Sequence, residues 1–148
     1  MKTLHDPVER TAILDRLATL TPESPRQWGT MTVGAMVGHL CAAAEMALGD
    51  LPTRPKGPRA FQHFPLKHLV LYVLPFPKGA PTARELVVPA SGDVEAGVQR
   101  LRDLVERIGT TPLDVPGPSH PLFGPLSTRE WGRLARKHMD HHLRQFGL

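Results

Sequence analysis

The stretch STREWGRLARKHMDHHLRQFG, residues 127–147, decides the fold because it carries a complete set of helix signals. Ser127 and Glu130 have the spacing of a capping box, and Gly147 is a typical stop residue. A rotation of about 100° per residue places one group of side chains on a single arc of about 120°: Trp131, Leu134, Ala135, His138, His141, His142 and Gln145. The stretch therefore predicts a helix that runs to about Phe146 and turns its histidines toward the interior.

Three further helices are predicted upstream from the same kinds of signal. Each has an apolar stripe with helical spacing, a polar cap in front and a breaking residue behind. The predicted ranges are residues 7 to about 20 after an Asp6 cap, 33–48 between Thr32 and Gly49, and 92–108 between Ser91 and Gly109.

The connections between these helices are rich in proline, of which the chain has 16. Residues 50–65 are read as an irregular flap and residues 75–90 as a second long connection. The run 66–74 is predicted to be a short extra helix, because no strand-like partner stands nearby. The sequence thus predicts one all-α domain over residues 1–148, a four-helix bundle with long Pro-rich connections.

Composition argues against several classes of function. The net charge is +4, but the basic residues are dispersed and aromatic residues are only 5%, so a nucleic-acid interface is not expected. The most apolar run, residues 69–74, is too short to cross a bilayer, so no membrane contact is expected. The first residues lack the pattern of a secretory signal, and the single Cys41 suits a reducing compartment, which together predict a cytoplasmic protein.

Three histidines form the strongest chemical pattern. His138 and His142 are one helical turn apart, with Cβ atoms about 5–6 Å from each other, and can bind one ion together. His39 lies on a face of the second helix made of alanine and methionine, which lets it reach the interior. The pattern predicts a divalent transition metal on His39, His138 and His142, with Zn²⁺ first and Ni²⁺ or Fe²⁺ as alternatives. The competing interpretation is hydrogen-bonded core histidines.

Other polar residues have weaker claims to the site. His141 and Gln145 are candidates for support of the ligands or proton handling, with simple packing as an equal alternative for the histidine. Cys41 and Glu45 point away from the face of His39 and are not expected to be ligands. His120, in the loop before the last helix, is interpreted as a turn residue that could reach the mouth of the site.

The histidine pattern resembles a known family. Residues 138–145 read His-x-x-His-His-x-x-Gln and residues 36–40 read Met-x-x-His-Leu, which resemble motifs of the DinB/YfiT-like superfamily. The run HPLFGPL at 120–126, followed by Trp-Gly at 131–132, resembles an uncharacterised branch of it. The resemblance implies a bundle with a three-histidine metal site and, in better-studied relatives, transferases and isomerases that use a low-molecular-weight thiol. Basic residues of the flap and the segment after it could steer such an acidic thiol: Arg54, Lys56, Arg59, His63 and His68.

Two hypotheses of function follow from the sequence. The first is a metal-dependent enzyme acting on a small molecule through an activated thiol or water, either a transferase, an isomerase or a hydrolase. The alternative is a non-catalytic module in which the metal stabilises a helical domain that binds a small molecule or pairs as a homodimer. The two differ in whether the metal keeps open coordination positions.

Overall fold

The computed structural model describes residues 2–76, 78, 86 and 93–148 and is mostly helical, with one small sheet. In the described residues the chain order is α1, α2, α3, α4, β1, β2 and α5. Their bounds are α1 Pro7–Ala18, α2 Val33–Leu48, α3 Leu66–His68, α4 Val94–Thr110, β1 Pro116–His120, β2 Gly124–Ser127 and α5 Thr128–Gln145. Helical structure at all five predicted places is therefore confirmed.

The ends of the helices follow the predicted caps. Asp6 accepts a hydrogen bond from the amide of Val8 at the start of α1, and Thr32 accepts one from Ala35 at the start of α2. Ser127 and Glu130 form both hydrogen bonds of the capping box on α5. These side chains satisfy amide groups that a helix leaves unpaired at its first turn.

Helix α4 differs from the prediction at both ends. Asp93 caps it and Val94 begins it, whereas the predicted cap Ser91 and start Gly92 lie outside the described residues. The predicted stop at Gly109 is wrong, because the helix continues to Thr110. A Cβ atom at position 109 would lie 2.5 Å from the Arg10 side chain and 2.8 Å from the carbonyl of Leu4, so this glycine allows a close approach of the N-terminal segment.

The all-α prediction is wrong in the segment before α5, where β1 and β2 pair as an antiparallel hairpin with an irregular register. The strand sequences PGPSH and GPLS lack the alternation of apolar and polar residues that marks strands. Proline cannot donate to a ladder, and it is tolerated here because a two-stranded sheet consists only of edges. The hairpin packs against α2 and α5.

Helix α2 lies at the centre of the fold. It packs against α4, α5 and β1, and it is buried on nearly every side. Its composition explains this position, because alanine, glycine, valine and methionine leave room for neighbouring helices on all faces. No helix in the described part of the chain has the length and apolar character needed to cross a bilayer.

Helix α3 continues into a π-helical turn, Leu69–Val73, whose carbonyl groups are capped by side chains of α5. Arg133 donates to the carbonyl oxygens of Leu71 and Tyr72, and Lys137 donates to that of Val70. Cations at the carbonyl end of a helical turn are favourable because they oppose its partial negative charge. The segment leading to Phe76 is thereby fixed against the helix that carries His138.

Candidate metal centre

The three predicted imidazoles meet at one point between α2 and α5. His39 Nε2 lies 2.9 Å from His138 Nε2, which lies 3.1 Å from His142 Nε2. The ligand atoms of the three residues are all within 4.8 Å of one another. Nitrogen atoms that share an ion at about 2.0–2.1 Å lie roughly 3 Å apart, so the arrangement has the dimensions of a metal site. The predicted convergence is confirmed; binding of an ion is a separate question.

A backbone carbonyl fixes the tautomer of His39. Its Nδ1 lies 3.1 Å from the carbonyl oxygen of Leu86, which can only accept a hydrogen bond. The proton of the neutral ring is therefore on Nδ1, and the lone pair on Nε2 points toward the other two histidines.

A glutamine fixes the tautomer of His142 in the same way. Gln145 donates from Nε2 to the carbonyl oxygen of Trp28 at 2.9 Å, which turns its Oε1 toward His142. That oxygen lies 2.8 Å from His142 Nδ1 and accepts its proton. His142 therefore also presents a lone pair on Nε2. Gln145 thus contacts His142 directly, while its predicted parts in support of a metal ligand and in proton handling stay predictions.

Burial keeps the three rings neutral. It lowers the pKa of His39, lowers that of His142 to about 4, and together with the neighbouring imidazoles lowers that of His138 well below its ordinary value. With both outer rings protonated on Nδ1, the three Nε2 atoms share at most one proton. At least one nitrogen pair about 3 Å apart thus has no proton between it, an unfavourable arrangement that a shared cation would relieve. The donor set fits a divalent ion.

Aromatic and basic side chains border the centre. The ring of Phe76 stacks against His138 at 5.3 Å and lies 5.8 Å from the ring of His141. Trp28 approaches His141 edge-on at 5.9 Å, and the ammonium group of Lys78 lies 4.4 Å above the indole ring. His138, His141 and both aromatic rings are half-buried, so this side of the centre is reachable from solvent.

His141 stands beside the three converging histidines rather than among them. Its ring contacts that of His142 at 5.1 Å, and its side chain makes no hydrogen bond within the described part of the chain. Burial is the largest cause that lowers its pKa, with Asp140 opposing and Lys78 adding to the effect. The ring contacts favour the packing interpretation, and a part in proton handling stays a prediction.

The residues predicted to lie off the site do so. Cys41 donates its thiol proton to the carbonyl of Gly97, and Glu45 pairs with Arg100. Burial raises the pKa of the Cys41 thiol to about 11, which keeps it protonated and unsuited to ligation. The five basic residues of the flap and following segment make no contact with the three rings in the described part of the chain. All five are exposed: Arg54, Lys56, Arg59, His63 and His68, the last stacked on Tyr72.

His120 is a turn residue, as interpreted from the sequence. Its Nδ1 accepts hydrogen bonds from the backbone amides of Leu122 and Phe123, and its ring stacks on that of Phe123. Burial lowers its pKa to about 4. It is therefore neutral and structural in the fold at neutral pH.

This buried ring predicts a loss of stability in acid. Unfolding returns the pKa of His120 from about 4 toward 6.5, so the unfolded chain binds the extra proton and stability falls as pH drops from 6.5 toward 4. We expect His120 to contribute roughly 2 kcal/mol to the decrease in unfolding free energy between pH 7 and pH 5. Urea unfolding at the two pH values, in the presence of a chelator, measures this decrease in unfolding free energy.

The matched variant is His120→Asn, whose side-chain oxygen can accept the same turn hydrogen bonds but does not titrate. We expect its unfolding free energy to fall less than that of the native chain over this pH range. Equal losses in the two proteins would contradict the assignment to His120.

Sequence reasoning missed several parts of the site. Leu86 contributes through a backbone carbonyl, for which no side-chain pattern exists, and it falls in a segment interpreted as a connection. Trp28 and Phe76 precede and follow predicted elements and carried no periodic signal. The one sequence signal that could have drawn attention to Trp28 and Phe76 is the presence of aromatic residues in connections between helices.

Comparison with known proteins identifies a family that matches this chain. A family model described as "Protein of unknown function (DUF1569)" matches residues 5–147. Searches among curated proteins and among solved structures found no match. The resemblance to the DinB/YfiT-like superfamily is therefore wrong as a family assignment, because the model that matches nearly the whole chain is a different one. The thiol cofactor rested only on that resemblance and loses its support with it.

Proposed function

Since the chain belongs to the DUF1569 family, whose description names no function, we propose from the site alone that it is a metal-dependent hydrolase. His39, His138 and His142 would hold one divalent transition ion through their Nε2 atoms, with Zn²⁺ as the first candidate. The observation that supports this most is the meeting of three Nε2 atoms that share at most one proton.

An ion held by three neutral nitrogens supplies Lewis acidity and lowers the pKa of water that reaches it. The chain's own residues orient the imidazole rings. The carbonyl of Leu86 and the amide of Gln145 hold the rings of His39 and His142 with their lone pairs inward, so little reorganisation accompanies binding. Phe76 stacks on one face of His138 and helps to fix the position of this ring.

We also propose that the four long helices form a bundle around this centre. Helices α1 and α2 each pack against both α4 and α5, which is the neighbour pattern of four helices in a square. The centre would then lie between the neighbouring helices α2 and α5, and its ligands would hold these two helices together.

Metal analysis tests the proposal. Protein purified without added metal is expected to contain about one transition ion per chain. A cobalt-substituted sample should change its visible spectrum when azide is added, because three protein ligands leave positions for an external one. A His39→Ala, His142→Ala double variant is the negative control.

Two outcomes distinguish the alternatives. Bound cobalt whose spectrum ignores azide would favour the non-catalytic interpretation, in which the ion only joins α2 to α5. Metal content equal in the native chain and the double variant would contradict the site itself.

A further inference from the structure

The charge around the centre is unbalanced. Its three ligands would be neutral imidazoles, and no described carboxylate makes a hydrogen bond or an ion pair with them. The nearest acid in the sequence, Asp140, forms ion pairs with Arg16, Arg136 and Arg144. A divalent ion held by His39, His138 and His142 would therefore carry a full double positive charge into a half-buried place, which is costly unless an anion joins it.

The side chains at the rim add positive charge. Lys78 lies over the ring of Trp28, whose edge faces His141, the neighbour of a ligand. Lys137 lies next to His138 in sequence and 5.5 Å from the ring of Phe76. Both cations would favour an anion on this side of the ion.

From this imbalance we propose that the substrate is a small organic anion whose carboxylate or phosphate group binds between the metal centre and Lys78. This proposal rests on the proposed function, because the ion supplies the larger part of the attraction. Lys78 is the specificity-determining residue, and it acts by charge rather than by ligation. Trp28 and Phe76 provide apolar ring edges beside the anion, which favours a substrate with an apolar body.

Three probes that share a phenyl ring test the charge requirement. Benzoate, phenylphosphonate and the neutral benzamide are titrated into the cobalt-substituted protein, and the visible spectrum reports binding. We expect at least one of the two anions to bind at least about ten times more tightly than benzamide. The stronger anion identifies the carboxylate or the phosphate class.

Charge reversal at the rim tests the part of Lys78. In Lys78→Glu we expect the affinity for the preferred anion to fall about tenfold, with the affinity for benzamide unchanged. The control is Arg129→Glu, which makes the same change of net charge at an exposed residue nine positions before His138, about 13 Å along α5. Its effect should stay below about twofold, because salt screens charges at that distance.

The outcomes separate the two proposals. If cobalt binds and benzamide matches both anions, or if the two charge-reversal variants behave alike, the anion proposal is overturned and the metal site stands. If the native chain takes up no cobalt, the metal site fails and the anion proposal fails with it.

Discussion

His138→Ala is expected to lower the affinity of the chain for Zn²⁺ about a thousandfold. The Nε2 atom of His138 is the middle one of the three, 2.9 Å from that of His39 and 3.1 Å from that of His142, so its loss leaves two nitrogens without their common neighbour. Binding free energies of about 10–16 kcal/mol for four-ligand zinc sites correspond to roughly 2.5–4 kcal/mol per ligand, and a thousandfold change, about 4 kcal/mol, is the upper end of this range. Competition with a chromophoric chelator measures the affinity.

His141→Ala is the matched control, since it removes an imidazole from the same helix that only borders the site. We expect its zinc affinity to stay within about threefold of the native value. If the two alanine variants bound zinc equally well, His138 would not be a ligand. Circular dichroism of the metal-free proteins shows whether either variant is folded.

The second large effect is expected from Gln145→Leu, which should weaken zinc binding by about 10–100-fold. Leucine has a similar size but cannot accept the proton of His142 Nδ1 or donate to the carbonyl of Trp28. The ring of His142 would lose the contact that selects its tautomer, and the carbonyl would be left without a donor. The same chelator competition gives the affinity.

Gln145→Glu separates orientation from packing. Its carboxylate can still accept the proton of His142 Nδ1, so zinc binding should be kept at the native level or strengthened. The buried carboxylate cannot donate to Trp28, so the metal-free variant should unfold at a lower urea concentration. Zinc affinity reduced equally in both variants would show that the hydrogen bond accepted from His142 contributes nothing, because the loss that the two variants share is the donation to Trp28.

The centre itself could be predicted because it follows from local helical geometry. The spacing of His138 and His142 fixes their shared face wherever the helix packs, and the small residues around His39 indicate a buried position. The caps at Thr32 and Ser127 could be predicted for the same reason, because a cap is decided by neighbours in sequence.

The features that could not be predicted depend on contacts between segments that are distant in sequence. The hairpin of β1 and β2 has too many prolines to look like strands, and it exists because α2 and α5 provide a surface for it. The helix does not end at Gly109 as expected. This glycine instead allows close packing of Arg10 and Leu4, which lie more than 90 positions away in the sequence. The carbonyl of Leu86 carries no sequence signature at all, although it orients a ligand.

The side-chain amide of Gln145 links the connection between α1 and α2 to the His142 ring of the centre. The connection between α1 and α2 is held to the end of α5 by hydrogen bonds from Gln27 to the carbonyl of residue 145 and from the side chain of residue 145 to the carbonyl of Trp28. The same side chain orients His142. A displacement of this surface connection would thus change the orientation of the His142 ring through a single side chain.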